Sequence, residues 1–323
     1  MHKNMSTLIQ HELQYPAHAR STIVSIGMFD GLHMGHQALI RRLTEQAHAM
    51  HAISTVITFK QHPSTLLTPS DAVPMLTSLN ERICLLKAMA VDVVIPLTFS
   101  QELATLGAQP FVLMLQRYLK MQGMILGWDF ALGHRREGSL ETLCEMGQLL
   151  GFSTEAVGPV KYHHNIVSST AIRQALLAGD ICAANAMLTR PFRIESTVVG
   201  GDKRGTKLGF PTANFSVTSQ QALPADGIYA TIATIEGQPH SAATFIGTRP
   251  TFNGAARSIE THLLDFSGNL YNHNLKIDII ERLREAVKFN DIQALKAQIA
   301  LDISQIRQIL SGYDCCGIMK RVS

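Results

Sequence analysis

Apolar positions in the first half of the chain fall into two alternating rhythms. Short β-branched runs at Thr22–Ile26, Ile53–Phe59 and Val91–Ile95, and the run Met124–Leu126 that meets Gly127, read as strands. Between them lie three stretches of helical spacing: Leu39–Met50 (Leu39, Ile40, Leu43 and Ala47 on one face), Glu81–Met89 and Phe111–Lys120. Strands that alternate with helices predict an α/β unit, a parallel sheet covered by helices, with ligands at the carboxyl ends of its strands.

The second half changes rhythm. A short helix, Ile181–Leu188, runs to Arg190-Pro191, and strand candidates then recur at Ser196–Val199, Ile228–Ile235, Ala242–Ile246, Ile259–Asp265 and Leu275–Ile280. Turn residues separate them at Pro224–Gly227, Glu236–Pro239, Phe252–Gly254 and Ser267–Asn269. Regular short strands of this kind predict a closed antiparallel barrel. An amphipathic helix, Ile292–Leu310, is expected to pack on its side. The expected division is therefore 1–187 and 188–323, in line with about two domains for a chain of this length.

Composition narrows the function classes. Lys+Arg number 28 against Asp+Glu 25, and aromatic content is 6%, so neither a basic stripe nor a stacking platform for nucleic acid is expected. The first fifteen residues are polar, with no apolar leader segment. The best apolar run, Met89–Leu97, is interrupted by Asp92 and is too short to cross a bilayer, so no membrane partner is expected. Five scattered cysteines, Cys84, Cys144, Cys182, Cys315 and Cys316, fit reduced thiols in a cytoplasm better than a disulfide framework.

Candidate chemistry sits at four places. The first is Gly200–Asn214, entered from the Ser196–Val199 strand. Its glycines, Gly201 among them, allow close approach to a ligand, and Lys203, Arg204 and Lys207 suit a polyphosphate. It is no Walker A loop, because Gly205 is followed by Thr206 and only then by Lys207. Thr212 and Asn214 offer hard oxygen ligands of the sort Mg²⁺ takes. The second place is Gly27–His36, where His33 and His36 straddle Gly35 at the start of a helix. Imidazole donors and a helix N-terminus can both face a phosphate there. A pair of surface histidines or part of a metal site would share this spacing. The third is Ser168-Ser169-Thr170, an N-cap with Arg173 in the first turn, which can act as a polyphosphate clamp or as an ordinary cap. The fourth is the alternating strand Ile259–Leu263. Glu260 and His262 share one face of it, so Glu260 is either a general base or one acid on a wet surface.

These motifs together resemble one family. Gly-Asp-x-Arg-Gly followed by Leu-Gly-Phe-Pro-Thr-Ala-Asn resembles the riboflavin kinase signature, and Phe29-Asp30-Gly31 with His33-x-Gly35-His36 resembles that of adenylyltransferases. Over nearly its whole length the chain is similar to bacterial bifunctional riboflavin kinase/FAD synthetases. That resemblance implies a Rossmann-like nucleotidyltransferase unit and a six-stranded kinase barrel with a C-terminal helix. It implies ATP-dependent phosphorylation of riboflavin to FMN and ADP, then adenylylation of FMN to FAD and pyrophosphate, with Mg²⁺ accompanying ATP.

By residue, the resemblance implies Glu260, His33 and His36 as catalytic groups. Gly27, Phe29, Asp30, Gly35, Ser168, Ser169 and Arg173 would hold ATP in the adenylyltransferase, where His62 and Asp129 would hold FMN. Gly201, Lys207, Thr212 and Asn214 would hold ATP in the kinase, with Thr212 and Asn214 as metal ligands and Arg284 on the flavin side. Trp128 and Ala131 depart from the family pattern, Ala131 standing where an arginine is common. A kinase with a silent first unit, and a non-catalytic flavin binder, therefore stay open beside the bifunctional reading, as does weak self-association.

Overall fold

The computed structural model describes residues 7–14, 20–68, 70, 72–200, 205, 208–215, 220–251 and 254–313. By internal packing the chain divides into two compact units, Met1–Ser168 and Ser169–Ser323.

The first unit begins with α1 (Thr7–Leu13) and β1 (Thr22–Ile26). There follow α2 (Met34–Ala49), β2 (Ile53–Phe59), α3 (Ser64–Leu67), α4 (Leu79–Ala88), β3 (Val93–Leu97), α5 (Gln101–Thr105), α6 (Ala108–Leu119) and β4 (Met121–Gly127). A small hairpin of β5 (Ala131–Leu132) and β6 (Gly138–Ser139) leads to α7 (Leu140–Leu150) and β7 (Ser153–Val157). A second hairpin, β8 (Lys161–Tyr162) and β9 (Asn165–Ile166), closes the unit. Five strands form a sheet in the order β3-β2-β1-β4-β7, every neighbouring pair parallel. The expected α/β fold is therefore present.

Central strands of such a sheet lie between two helical layers, which explains the unbroken apolar runs. All five residues of β1 are buried. Ile23 joins Leu39, Ile40 and Leu43 of α2 in one core, while Val24 joins Phe111 and Leu115 of α6 in the other. Pro96, which has no amide hydrogen to give a second neighbour, is admitted because β3 is an edge strand. The order of connection reverses beside β1, so the carboxyl end of β1 is where this topology opens a crevice.

The second unit contains α8 (Ser169–Ala178), α9 (Ile181–Leu188), β10 (Phe192–Val199), β11 (Ala213–Phe215), β12 (Gly227–Ile235), β13 (Gln238–Thr251), β14 (Gly254–Leu263), β15 (Asn274–Arg284) and α10 (Ile292–Ser311). Its six strands close into an antiparallel barrel in the order β10-β11-β14-β13-β12-β15, as expected. Tyr229, Thr231 and Ala233 are wholly buried, whereas Ile306 and Leu310 of α10 pack on Ala230, Ile232 and Ile280. Alternate residues of one strand thus face the barrel interior and the helix. Asp291 caps α10, its carboxylate accepting from the amides of Gln293 and Ala294 at 3.1 Å each.

Candidate active sites in the two units

In the first unit the residues after β1 form a tight, strained turn. Phe29 (φ +50°), Gly31 (φ +77°) and Leu32 (φ +40°) all occupy the left-handed region, which a side chain beyond glycine adopts at a cost. Asp30 holds this turn in place. It is 2% exposed, and its carboxylate accepts from the amides of Leu76 (3.0 Å) and Thr77 (3.1 Å) and from the Thr77 hydroxyl (3.1 Å). The same hydroxyl accepts from Gly31 N–H at 3.1 Å. The structure therefore gives Asp30 an anchoring part.

His33 ends the turn and caps α2, its Nδ1 accepting from the His36 amide at 3.4 Å. The two imidazoles stack at 3.7 Å with 19° between their planes, and Phe29 meets His36 edge-on at 5.3 Å. A Cβ on Gly35 would lie 3.2 Å from the His33 ring, so this glycine makes room for the imidazole itself. A Cβ on Gly27 would press on the Phe29 ring at 3.2 Å. Burial, reinforced by the nearby His33 and Arg82, holds His36 well below the ordinary histidine value of 6.5. At neutral pH it is a neutral imidazole with one N–H to donate.

Beside the carboxyl ends of β2, β3 and β4 a cavity of about 540 Å³ opens, lined in part by Phe59, Phe99, Phe130, Ala131, Arg135 and Arg136. Three aromatic rings and two guanidinium groups suit a flat, anionic ligand. Of these, Phe99, Arg135 and Arg136 were not among the sequence candidates. His62 and Asp129, expected to bind FMN, are placed beside the lining residues Pro63 and Phe130 rather than among those lining the cavity. His62 Nδ1 lies 2.7 Å from the Ser64 hydroxyl and accepts from the Ser64 amide at 3.1 Å. Trp128 is 49% exposed and does not line the cavity, which stays open despite the departures from the family pattern. Ser168 immediately precedes α8, and Ser169 and Arg173 lie in its first turns.

In the second unit, Gly201 and Lys207 lie outside the described residues, as do Cys315 and Cys316. The residues on the far side of the glycine turn are well placed. Phe210 N–H donates to Gly205 O at 2.8 Å, and a Cβ on Gly205 would overlap the Phe210 carbonyl oxygen and stand 3.1 Å from Thr212 Oγ1. Only glycine fits there. The Thr212 hydroxyl donates to Glu260 Oε2 at 3.3 Å, and Asn214 lies directly opposite Glu260 in the β11–β14 register. His262, on the Glu260 face, contacts the Pro211 carbonyl through Nδ1 at 2.8 Å and meets the Phe210 ring edge-on at 5.9 Å.

A cavity of about 580 Å³ joins these residues to the C-terminal helix; Thr212, Glu260, His262, Arg284, Phe289 and Asp302 are among its walls. Arg284, expected on the flavin side, does line it, but its guanidinium is committed to Asp302 of α10 through a forked pair at 2.9 and 2.6 Å. Asp302 went unremarked in the sequence because nothing in a helical stripe marks one acid as buried.

Among the described residues no group of three His, Cys, Asp or Glu side chains could hold a metal, and no helix is long and apolar enough to cross a membrane. The hydroxyl of Thr212, just before β11, and the amide of Asn214 within it are hard oxygen donors two residues apart. Such a set fits a Mg²⁺ that keeps most of its shell from water and substrate phosphates.

Comparison with known proteins finds a separate match in each half of the chain. The family model for FAD synthetase matches residues 15–171, and that for riboflavin kinase matches residues 188–310. A bifunctional riboflavin kinase/FMN adenylyltransferase of Pseudomonas fluorescens is 37% identical over 93% of this chain and 96% of its own. Proteins of the same name from Escherichia coli K12 (34%, over 87% and 90%) and Listeria monocytogenes (32%, over 88% and 91%) are also similar. A crystal structure described as a macrolide-efflux protein from Streptococcus pneumoniae superposes with a TM-score of 0.83 at 29% identity, covering 90% of this chain and 95% of that one. Two family models and relatives matched over nine-tenths or more of their own length coincide, and the chain belongs to the bifunctional riboflavin kinase/FMN adenylyltransferase family.

Proposed function

We propose that this chain phosphorylates riboflavin with ATP to FMN and ADP, and adenylylates FMN with a second ATP to FAD and pyrophosphate. We assign the adenylyltransferase to 1–187 and the kinase to 188–323, working on small molecules in a reducing cytoplasm. Cys84, Cys144 and Cys182 are free thiols, which accords with that compartment.

The observation that carries the reading is the placement of Glu260 beside Thr212, 3.3 Å apart on the wall of one cavity. Glu260 is the base that takes the proton from the ribityl 5′-hydroxyl, which then attacks the γ-phosphate. Thr212 and Asn214 would hold a Mg²⁺ that accompanies ATP, which when bound would supply positive charge at the transferring phosphoryl group. The glycine turn, with Gly201 and Lys207, cradles the same phosphates. Arg284 acts on the flavin side by holding α10 over the cavity. In the first unit the phosphate of FMN attacks the α-phosphate of ATP. His33 and His36, as imidazole N–H donors, stabilise the charge that builds there. Gly27, Phe29, Asp30 and Gly35 shape that turn, and the family pattern assigns Ser168, Ser169 and Arg173 to the same reaction. His62 and Asp129 flank the flavin cavity. That cavity is open, which favours a working first unit over a kinase with a silent partner.

The test is incubation with riboflavin, ATP and Mg²⁺ followed by chromatography for FMN and FAD. Both products are expected. Glu260→Ala should stop FMN formation yet still convert supplied FMN to FAD, and His33→Ala should do the opposite. Loss of both activities in either variant would sink the assignment of separate sites.

A further inference from the structure

Arg82 of α4 is the charged group that the reaction so far leaves unused. It is 1% exposed, the largest fully buried side chain among the described residues. A guanidinium taken out of water is costly unless partnered, and arginine does not escape by losing its proton. Its partners all belong to the turn after β1. Nη1 donates to the Met28 carbonyl at 2.6 Å, an oxygen that also accepts from the Thr58 hydroxyl at 3.0 Å. The Asp30 carboxylate is close enough to favour the charged form against burial. Nε is buried and has no hydrogen-bond partner among the described residues, and the same is true of Nδ1 of His36. Arg82 is also close enough to His36 to repel a proton from it.

We propose that Arg82 is a positioning residue for adenylyl transfer: it pins the Met28 carbonyl, and so the turn that sets Phe29 against His36, and it places a fixed positive charge beside the imidazole pair. This rests on the adenylyltransferase reading above. Two consequences separate the parts. A donor at position 82 without charge keeps the turn and loses the field, whereas an apolar side chain of similar length loses both. Lysine supplies charge and one donor, enough for the Met28 carbonyl. The groups around His36 that titrate or carry charge are His33 from the turn and Arg82 from α4, with Asp30 facing Arg82.

The experiment measures kcat and KM for FAD formation from FMN and ATP in the full chain and in its Arg82→Lys, Arg82→Gln and Arg82→Met variants. Riboflavin phosphorylation in the same molecules is the internal control, and thermal unfolding is followed in parallel. Misplacing a catalytic group by about 1 Å costs roughly 100-fold, so Arg82→Met should fall by about that factor in kcat. Arg82→Gln should fall in between, Arg82→Lys should recover most of the rate, and the kinase should stay within about twofold throughout. Equal activity of the Lys and Met variants, a Met variant at the native rate, or losses seen only where the first unit has melted would overturn the proposal. If the native chain makes FMN but no FAD from FMN, the adenylyltransferase reading itself has failed, a result distinct from any of these.

Discussion

Arg284 at the end of β15 and Asp302 on α10 form a two-pronged ion pair, Nε to Oδ1 at 2.9 Å and Nη2 to Oδ2 at 2.6 Å. Asp302 is 3% exposed and also accepts from Gln298 Nε2 at 2.9 Å, so its charge is buried but satisfied. Both residues line the kinase cavity. The pair therefore joins the helix that covers the cavity to the strand that forms its wall. Removing Asp302 leaves Arg284 half-buried and still bonded to the Glu285 carbonyl at 2.9 Å, so the loss should fall below the roughly 3–5 kcal/mol of a fully buried pair. Asp302→Ala should lower the unfolding midpoint of the second unit and raise KM for riboflavin, while FAD formation from supplied FMN persists. Urea unfolding and the two separate assays check this. An unchanged KM would show that α10 does not shape the flavin side.

Thr212→Val isolates the hydroxyl, because the two side chains are alike in volume and differ in polarity. The substitution deletes both the bond to Glu260 and the proposed metal donor. Kinase turnover should fall by about 100-fold, within the range for loss of a catalytic contact. The Mg²⁺ concentration for half-maximal rate should rise as well. Titrating Mg²⁺ against FMN formation reads both effects. A slower enzyme with an unaltered metal requirement would leave Thr212 as a partner of Glu260 and remove it from the metal.

How much of this was legible without coordinates depends on whether a backbone or a long-range contact carried the signal. The imidazole pair and the glycine turn announce themselves locally, since a strained turn needs particular residues in sequence. The aromatic cavity of the first unit does not. Phe59 ends β2, while Phe99 and Phe130 follow β3 and β4, and the three meet only because the sheet brings those strand ends together. Asp30 reads as a ligand-facing acid, yet it accepts from two backbone amides and a hydroxyl 46 and 47 residues away. Within the five-stranded sheet and the barrel, two strands escaped the periodicity for opposite reasons. β7 is an edge strand with no fully buried residue, and β11 spans only Ala213–Phe215 within the motif that drew attention for its chemistry.

His36 sets an expectation for pH. Burial first, then His33 and Arg82, hold it well below 6.5, so the unfolded chain binds a proton at this site over a range where the folded chain does not. Its contribution to stability is fully present above about pH 6.5 and is lost as pH falls from there toward the folded value. His36→Gln should therefore flatten the fall in unfolding free energy between neutral and mildly acidic pH, which denaturant titrations at several pH values measure. An identical slope in the variant would mean that the imidazole titrates as an exposed one.

Gly205 offers the sharpest test of the kinase loop. A methyl group there would overlap the Phe210 carbonyl oxygen and crowd Thr212 Oγ1 at 3.1 Å, and the Phe210 amide is already bonded to Gly205 O. Backbone has no rotamer with which to move aside, so the loop must shift and carry Thr212 with it. Overpacking of this kind costs about 1–3 kcal/mol, too little to unfold the barrel but enough to displace a hydroxyl aimed at a phosphate. Gly205→Ala should then cut FMN formation at least about tenfold, with the melting temperature lowered only slightly and FAD synthesis from FMN intact. Gly209 provides the control, for a Cβ there meets nothing within 4 Å and acts only through its φ of +91°. Strain without a clash should leave Thr212 nearer its place, so Gly209→Ala is expected to retain more kinase activity than Gly205→Ala. The reverse order would mean that loop conformation, and not the crowding of Thr212, governs phosphoryl transfer.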